Sequence, residues 1–172
     1  MKQSDIKIEL GYYKDYVSLV EDLPLMEALE KYLAEIRNQD KEVLNRLEGK
    51  VYAPEKWTVK EIFQHLIDWE RIFSYRALVY ARNDGGITSG HDQNIMAANC
   101  NANSKTFDEI LDDFIIARKS TISLFKGFDA IDLQQTGESF NMIMNPLAMG
   151  FIILGHQVHH FNVIKERYLP LL

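Results

Sequence analysis

The sequence predicts an all-α protein, a four-helix bundle, on three observations. Four segments repeat apolar residues at three- and four-residue spacing. Three of these open on a recognisable helix-start signal, and the stretches between them are rich in Asn, Gly, Ser and Pro. The 172 residues, 47% hydrophobic and 26% charged, suffice for one packed core, so the chain reads as a single domain over 1–172.

The first helix is predicted from about Pro24 to Leu47, with Leu25, Met26, Leu29, Leu33, Ile36, Val43, Leu44 and Leu47 on one face and Gly49 and Pro54 ending it. The second opens on Thr58 and Glu61, a capping box in which each side chain serves the other's backbone N–H. It runs through Phe63, Leu66, Trp69, Ile72, Phe73, Leu78 and Val79 and stops before Asn83-Asp84-Gly85-Gly86. A second capping box, Thr106 with Glu109, starts the third helix, which continues through Ile110, Leu111, Phe114, Arg118, Ile122 and Phe125 to Gly127. The fourth has Asn145 as cap and Pro146 in its first position, and extends to about Tyr168.

A polar link from Asn83 to Lys105, with a short helical piece near Gln93 to Ala98, is long enough for a crossover. The other two connections read as short. Helices one and two are therefore expected to pair, as are three and four, with the long link between the pairs. Residues 128–144 read as irregular with a small extended segment, and the tyrosines Tyr12, Tyr13 and Tyr16 suggest a short helix before Glu21.

A formal charge of −6 and the lack of any basic run argue against a nucleic-acid partner. The N-terminus is polar and the longest apolar stretch, Leu147 to Leu154, is too short to span a bilayer, so neither secretion nor membrane insertion is expected. One cysteine, Cys100, allows no internal disulfide and no thiolate cage, consistent with the cytoplasm. It lies in an Asn-rich stretch with no neighbouring base and reads as incidental.

The chemistry concentrates in the histidines. His156 and His160 are four apart, one helical turn, and share a face with Met149, Ile152, Ile153, Val163 and Ile164. His65 shares its face with Ile62, Trp69, Ile72 and Val79, which must be core in a bundle. A single inward histidine is explained as well by a hydrogen bond in the core. Three of them converging point to a shared divalent ion, and imidazoles without a thiolate suit Zn²⁺ or Ni²⁺.

Asp68, one turn after His65, is the candidate catalytic residue, as a base or as an orienting group; pairing with Arg71 on the surface explains it equally. Glu61 is already used as a cap. Arg76 and Arg167 fall on the histidine-bearing faces and could meet an acidic substrate group or snorkel at a bundle end. His159 falls at the edge of its face, and His91 lies in a Gly-rich loop open to solvent.

Read together, Trp57-Thr58-Val59-Lys60-Glu61-Ile62-Phe63-Gln64-His65-Leu66-Ile67-Asp68 and Gly155-His156-Gln157-Val158-His159-His160 resemble the DinB-like (YfiT-like) family of four-helix-bundle metalloproteins. The resemblance covers most of the chain. It implies an up-down-down-up bundle with a long crossover between helices two and three, and a divalent metal on His65, His156 and His160. Some members of that family are thiol-dependent S-transferases or isomerases, which implies a low-molecular-weight thiol as cosubstrate here. Members often follow the last histidine with Arg-Gly-Gln, whereas this chain has Phe161-Asn162-Val163. The resemblance therefore carries the metal further than the substrate.

The expectation is a metal-dependent enzyme in which the ion acts as Lewis acid toward a thiol or water, with a small-molecule substrate. The alternative is a non-catalytic, metal-stabilised bundle that binds a small molecule or a protein. A homodimer is a further expectation.

Overall fold

The computed structural model describes residues 1–84, 86–139 and 141–172. Its helices are α1 (Tyr13–Ser18), α2 (Leu25–Arg37), α3 (Lys41–Arg46), α4 (Val59–Ala81), α5 (Gln93–Ala98), α6 (Phe107–Lys126) and α7 (Pro146–Val163). The three long-helix starts follow the capping chemistry. Thr58 Oγ1 accepts from Glu61 N at 3.2 Å, Thr106 Oγ1 accepts from Glu109 N at 3.2 Å, and Asn145 Oδ1 accepts from Ala148 N at 2.8 Å. Each such cap contributes about 1 kcal/mol.

The first predicted helix is two helices. Asn38 ends α2, and Asp40 starts α3 by accepting from the backbone N–H of Glu42 at 3.0 Å and Val43 at 3.1 Å. The apolar spacing runs through this break because Ile36, Leu44 and Leu47 all bury in the same cluster on either side of it. Pro24 stands just before the first helical residue rather than in it. At the other end, α7 passes at Ile164 into a wider π turn reaching Tyr168.

The four long helices surround the core in the order α2, α6, α4, α7. The pairing expected from sequence is thus overturned: α2 lies diagonal to α4, and α6 diagonal to α7. The break at Asn38 explains this, because it turns α3 into part of the connection, and residues 38–58 and 127–145 are both long enough to cross a diagonal. Directions follow from who meets whom. Glu30 pairs with Lys126, so α2 and α6 are antiparallel. Phe63 meets Phe107 and Ser74 bonds Thr121, so α4 and α6 are parallel. Phe63 meets Phe161 while Phe73 meets His156, so α4 and α7 are antiparallel. The result is up, down, down, up for α2, α4, α6 and α7. The link after α4 returns along the bundle, since Asn103 bonds both Thr58 and Glu61 at the start of α4.

Two apolar clusters fill the interior. One gathers Leu29, Phe73, Tyr80, Phe125 and Phe151; the other gathers Ile36, Phe63, Phe107, Phe114 and Tyr168. The helices leave a layer between them for polar side chains: Glu70 on α4, Arg118 and Thr121 on α6, and His156 and Gln157 on α7, all buried.

Short strands close one end. β1 (Ile87–Thr88) runs parallel to β2 (Gly137–Ser139), which pairs antiparallel with β3 (Met142–Met144). Gly137 lets β2 lie directly on the Tyr80 ring, which a Cβ there would approach to 2.0 Å. The expected N-terminal helix is α1. It crosses α7 at Gly155, where a Cβ would come within 2.0 Å of the Tyr16 carbonyl oxygen. Among the described residues no helix is long and apolar enough to cross a membrane.

Candidate metal centre

The capping box fixes where α4 begins, and so places His65 two turns in, on the face turned toward α7. On α7, His156 and His160 stand one turn apart and reach back to it. His65 Nε2 lies 2.9 Å from His156 Nε2, and His160 Nε2 lies 3.1 Å from the same atom. Ligand atoms of all three lie within 4.8 Å of one another. His65 and His156 are buried, and His160 partly so.

Aromatic rings wall the cluster. Trp57 lies 4.8 Å and Trp69 6.0 Å from the His65 ring, while Tyr16 sets its edge against His156 at 5.5 Å and His159 at 5.2 Å. Removal from water disfavours the charged imidazolium. Burial first, and the neighbouring His159 second, lower the His65 pKa to about 4. Burial and the adjacent imidazoles hold His156 and His160 well below their ordinary value. All three rings are therefore neutral near pH 7.

Neutral rings in this arrangement cannot fully satisfy one another. A neutral imidazole nitrogen is either one donor or one acceptor, yet His156 Nε2 faces two partner nitrogens at once. Its single lone pair or single N–H must then serve both, and of the three clustered nitrogens at least two carry the same polarity. A cation shared by three lone pairs removes that conflict, and nitrogens held tetrahedrally at about 2.1 Å from one ion sit roughly 3.4 Å apart, a spread that fits within the 4.8 Å spanned by the three ligand atoms. His160 Nδ1 is buried without a hydrogen-bond partner among the described residues, so packing between the His65 and His159 rings holds its orientation.

One member of the cluster, His160, borders open space. A cavity of about 410 Å³ opens beside His160, lined also by Tyr52, Glu55, Lys56, Trp57, Ile62, Gln93, Asn94, His159, Val163 and Tyr168. A separate crevice too narrow for water is lined by His65, Asp68, Trp69, Met96, Ala97 and Cys100, where α5 covers α4.

Other residues singled out in the sequence take varied places. Asp68 borders that crevice, but its carboxylate accepts from Gln64 Nε2 at 2.9 Å and lies 3.8 Å from Arg71. Arg76 is buried, donates to the Ser89 carbonyl at 2.9 Å and lies over the Trp69 and Phe73 rings. Arg167 is exposed on the π turn, away from the histidines' buried face, and His91 is exposed in the link. Half-buried His159 joins the cavity wall. Cys100 is partly buried beside His65.

Two features were not anticipated. Glu55, Lys56, Gln93 and Asn94 carry no local signal that would place them beside a histidine so far along the chain. Glu70, Arg118 and Gln157 do carry one, since each is a polar residue on the apolar face of its helix. Arg118 donates to both Glu70 carboxylate oxygens at 2.8 and 3.2 Å and to Gln157 Oε1 at 2.8 Å, and Gln157 Nε2 donates to the Tyr32 carbonyl at 3.0 Å. All four long helices are tied by this chain of bonds, one residue away from His156.

A family model described as the DinB superfamily matches residues 12–164. No curated protein matches the chain significantly. Among solved structures, the chain is similar to YfiT from Bacillus subtilis, described as a probable metal-dependent hydrolase with an unusual four-helix bundle topology. The TM-score is 0.68 at 12% identity, over 96% of this chain and 90% of that one, a likeness of fold. With the family match spanning all four long helices and the three histidines, the chain belongs to the DinB superfamily.

Proposed function

We propose that the chain is a divalent-metal-dependent enzyme whose ion is held by His65, His156 and His160. The observation that carries this reading is the convergence of three neutral imidazole nitrogens that cannot fully satisfy each other, one of them, His160, lining a cavity large enough for a small molecule. A structural metal site is closed by four protein ligands, whereas three ligands beside an open cavity leave room for a reactant. When bound, the ion supplies Lewis acidity that activates a thiol or water for attack on an electrophile, chemistry of the S-transferase or hydrolase type. The description of YfiT as a probable metal-dependent hydrolase supports the hydrolase branch.

The chain's own residues do the rest. Tyr16, Trp57 and Trp69 keep water from the sides of the cluster and hold the rings in place. His159, in the cavity wall and next to His160, can accept or return a proton from a reactant in the cavity. Asp68 holds Gln64 and stands behind His65 as a support for that ligand's helix rather than in the cavity. Zn²⁺ and Ni²⁺ both suit an all-imidazole donor set.

The test pairs elemental analysis with turnover. Chain loaded with Zn²⁺ or Ni²⁺, and His160→Ala treated alike, are assayed against panels of thiols with electrophiles and of hydrolysable esters and amides. Turnover by the loaded chain alone supports the reading. Stoichiometric metal with a large loss of Tm on chelation and no turnover in any panel gives the non-catalytic, metal-stabilised bundle instead.

A further inference from the structure

The cavity beside His160 has a charged wall that the metal does not use. Glu55, Lys56 and Trp57, three consecutive residues, all line it. An extended chain sends successive side chains to opposite faces, so this requires a kink. Glu55 supplies it with φ +62°, a left-handed conformation unfavourable to any residue with a Cβ. Neither the Glu55 carboxylate nor the Lys56 ammonium has an ion-pair or side-chain hydrogen-bond partner among the described residues. Two opposite charges on neighbouring, exposed side chains thus line one wall without a partner among the described residues.

A ligand with a single charge gains little from such a wall, because attraction to one group is offset by repulsion from its neighbour. A ligand carrying both signs gains from both. Beyond the charges the cavity turns aromatic, with Tyr52 and Tyr168 edge to face at 5.2 Å and Trp57 leading to the His65 ring.

We propose that this cavity selects small zwitterions bearing an apolar arm, with the carboxylate on Lys56, the ammonium on Glu55, and the arm running past Trp57 toward His160. This names a substrate class for the proposed metal enzyme and rests on that reading for the reaction, though not for binding.

The test is calorimetric titration of the full chain with phenylalanine, phenethylamine and 3-phenylpropionate, in zinc-loaded and metal-free forms with zinc content checked by elemental analysis. Phenylalanine is expected to bind about tenfold tighter than either singly charged analogue. Glu55→Gln should bring it down to the level of 3-phenylpropionate, and Lys56→Met to that of phenethylamine, with the Trp57 indole N–H resonance shifting on binding in the wild type. Equal binding of the three probes overturns the proposal, as does a preference that survives both substitutions, which would trace to chelation by the ion. A chain that fails to load zinc overturns the metal reading alone, since the metal-free titration still reads the preference.

Discussion

Glu70 and Arg118 form a two-pronged ion pair between α4 and α6, with both side chains sealed from solvent. The pair lies in the polar layer between the two apolar clusters. Thr121 donates to Glu70 at 2.8 Å, and Gln157 carries the connection to α7 and to the Tyr32 carbonyl on α2. Such a layer contributes little net stability, because desolvating two charges offsets most of their attraction, but it penalises any rotation of α7 that would turn the histidines away.

Removing one partner should therefore be far costlier than removing both. Arg118→Met is expected to destabilise the fold by about 3–5 kcal/mol, by leaving Glu70 buried and unpaired. Adding Glu70→Leu should restore part of that loss, only part because Gln157 still lacks its donor. Urea denaturation of the single and double variants checks this; equal stability of the two would mean that the pair is not sealed.

The metal-free chain should lose stability in acid below about pH 6.5. The His65 pKa is depressed to about 4 in the folded state, against an ordinary value of 6.5, so the unfolded chain takes up its proton first. Stability is full above about pH 6.5 and declines as pH falls toward 4, by about 3 kcal/mol for this ring alone. His156 and His160 shift the same way, for the same reason of burial, and add to the loss. Denaturation midpoints in chelator from pH 8 to pH 5 check this. A flat profile would mean that the rings are solvated.

Gly155→Ala should displace α1. The added Cβ would sit 2.0 Å from the Tyr16 carbonyl oxygen, which is backbone and cannot swing aside. A cost of about 1–3 kcal/mol is expected, together with a weaker hold on zinc, since Tyr16 packs on His156. Zinc competition with a coloured chelator checks the second effect, and an unchanged affinity would show that α1 plays no part in shaping the centre.

The parts of this structure legible in the sequence are those written in local chemistry. Thr58 with Glu61, Thr106 with Glu109, and Asn145 before Pro146 announce helix starts because caps act within one turn. His156 and His160 announce a shared face for the same reason, and the inward face of His65 follows from its apolar neighbours. What could not be read depends on contacts between distant segments. The break at Asn38–Asp40 leaves the apolar spacing intact, so periodicity passes over it, and with it went the neighbour relations of the helices. Arg118 was visible only as a charge in an apolar run, because its partner Glu70 lies on another helix. Glu55 could not be placed in the cavity because its left-handed backbone has no marker in the residue type.

X-ray absorption of the zinc-loaded chain, beside His65→Ala, reports on the three rings most directly. One zinc per chain is expected, with a first shell of three imidazole nitrogens at about 2.0–2.1 Å completed by exchangeable oxygen donors, and loss of that shell in the variant. Failure to retain zinc in the wild type, or a shell unchanged when His65 is gone, would contradict a centre shared by α4 and α7.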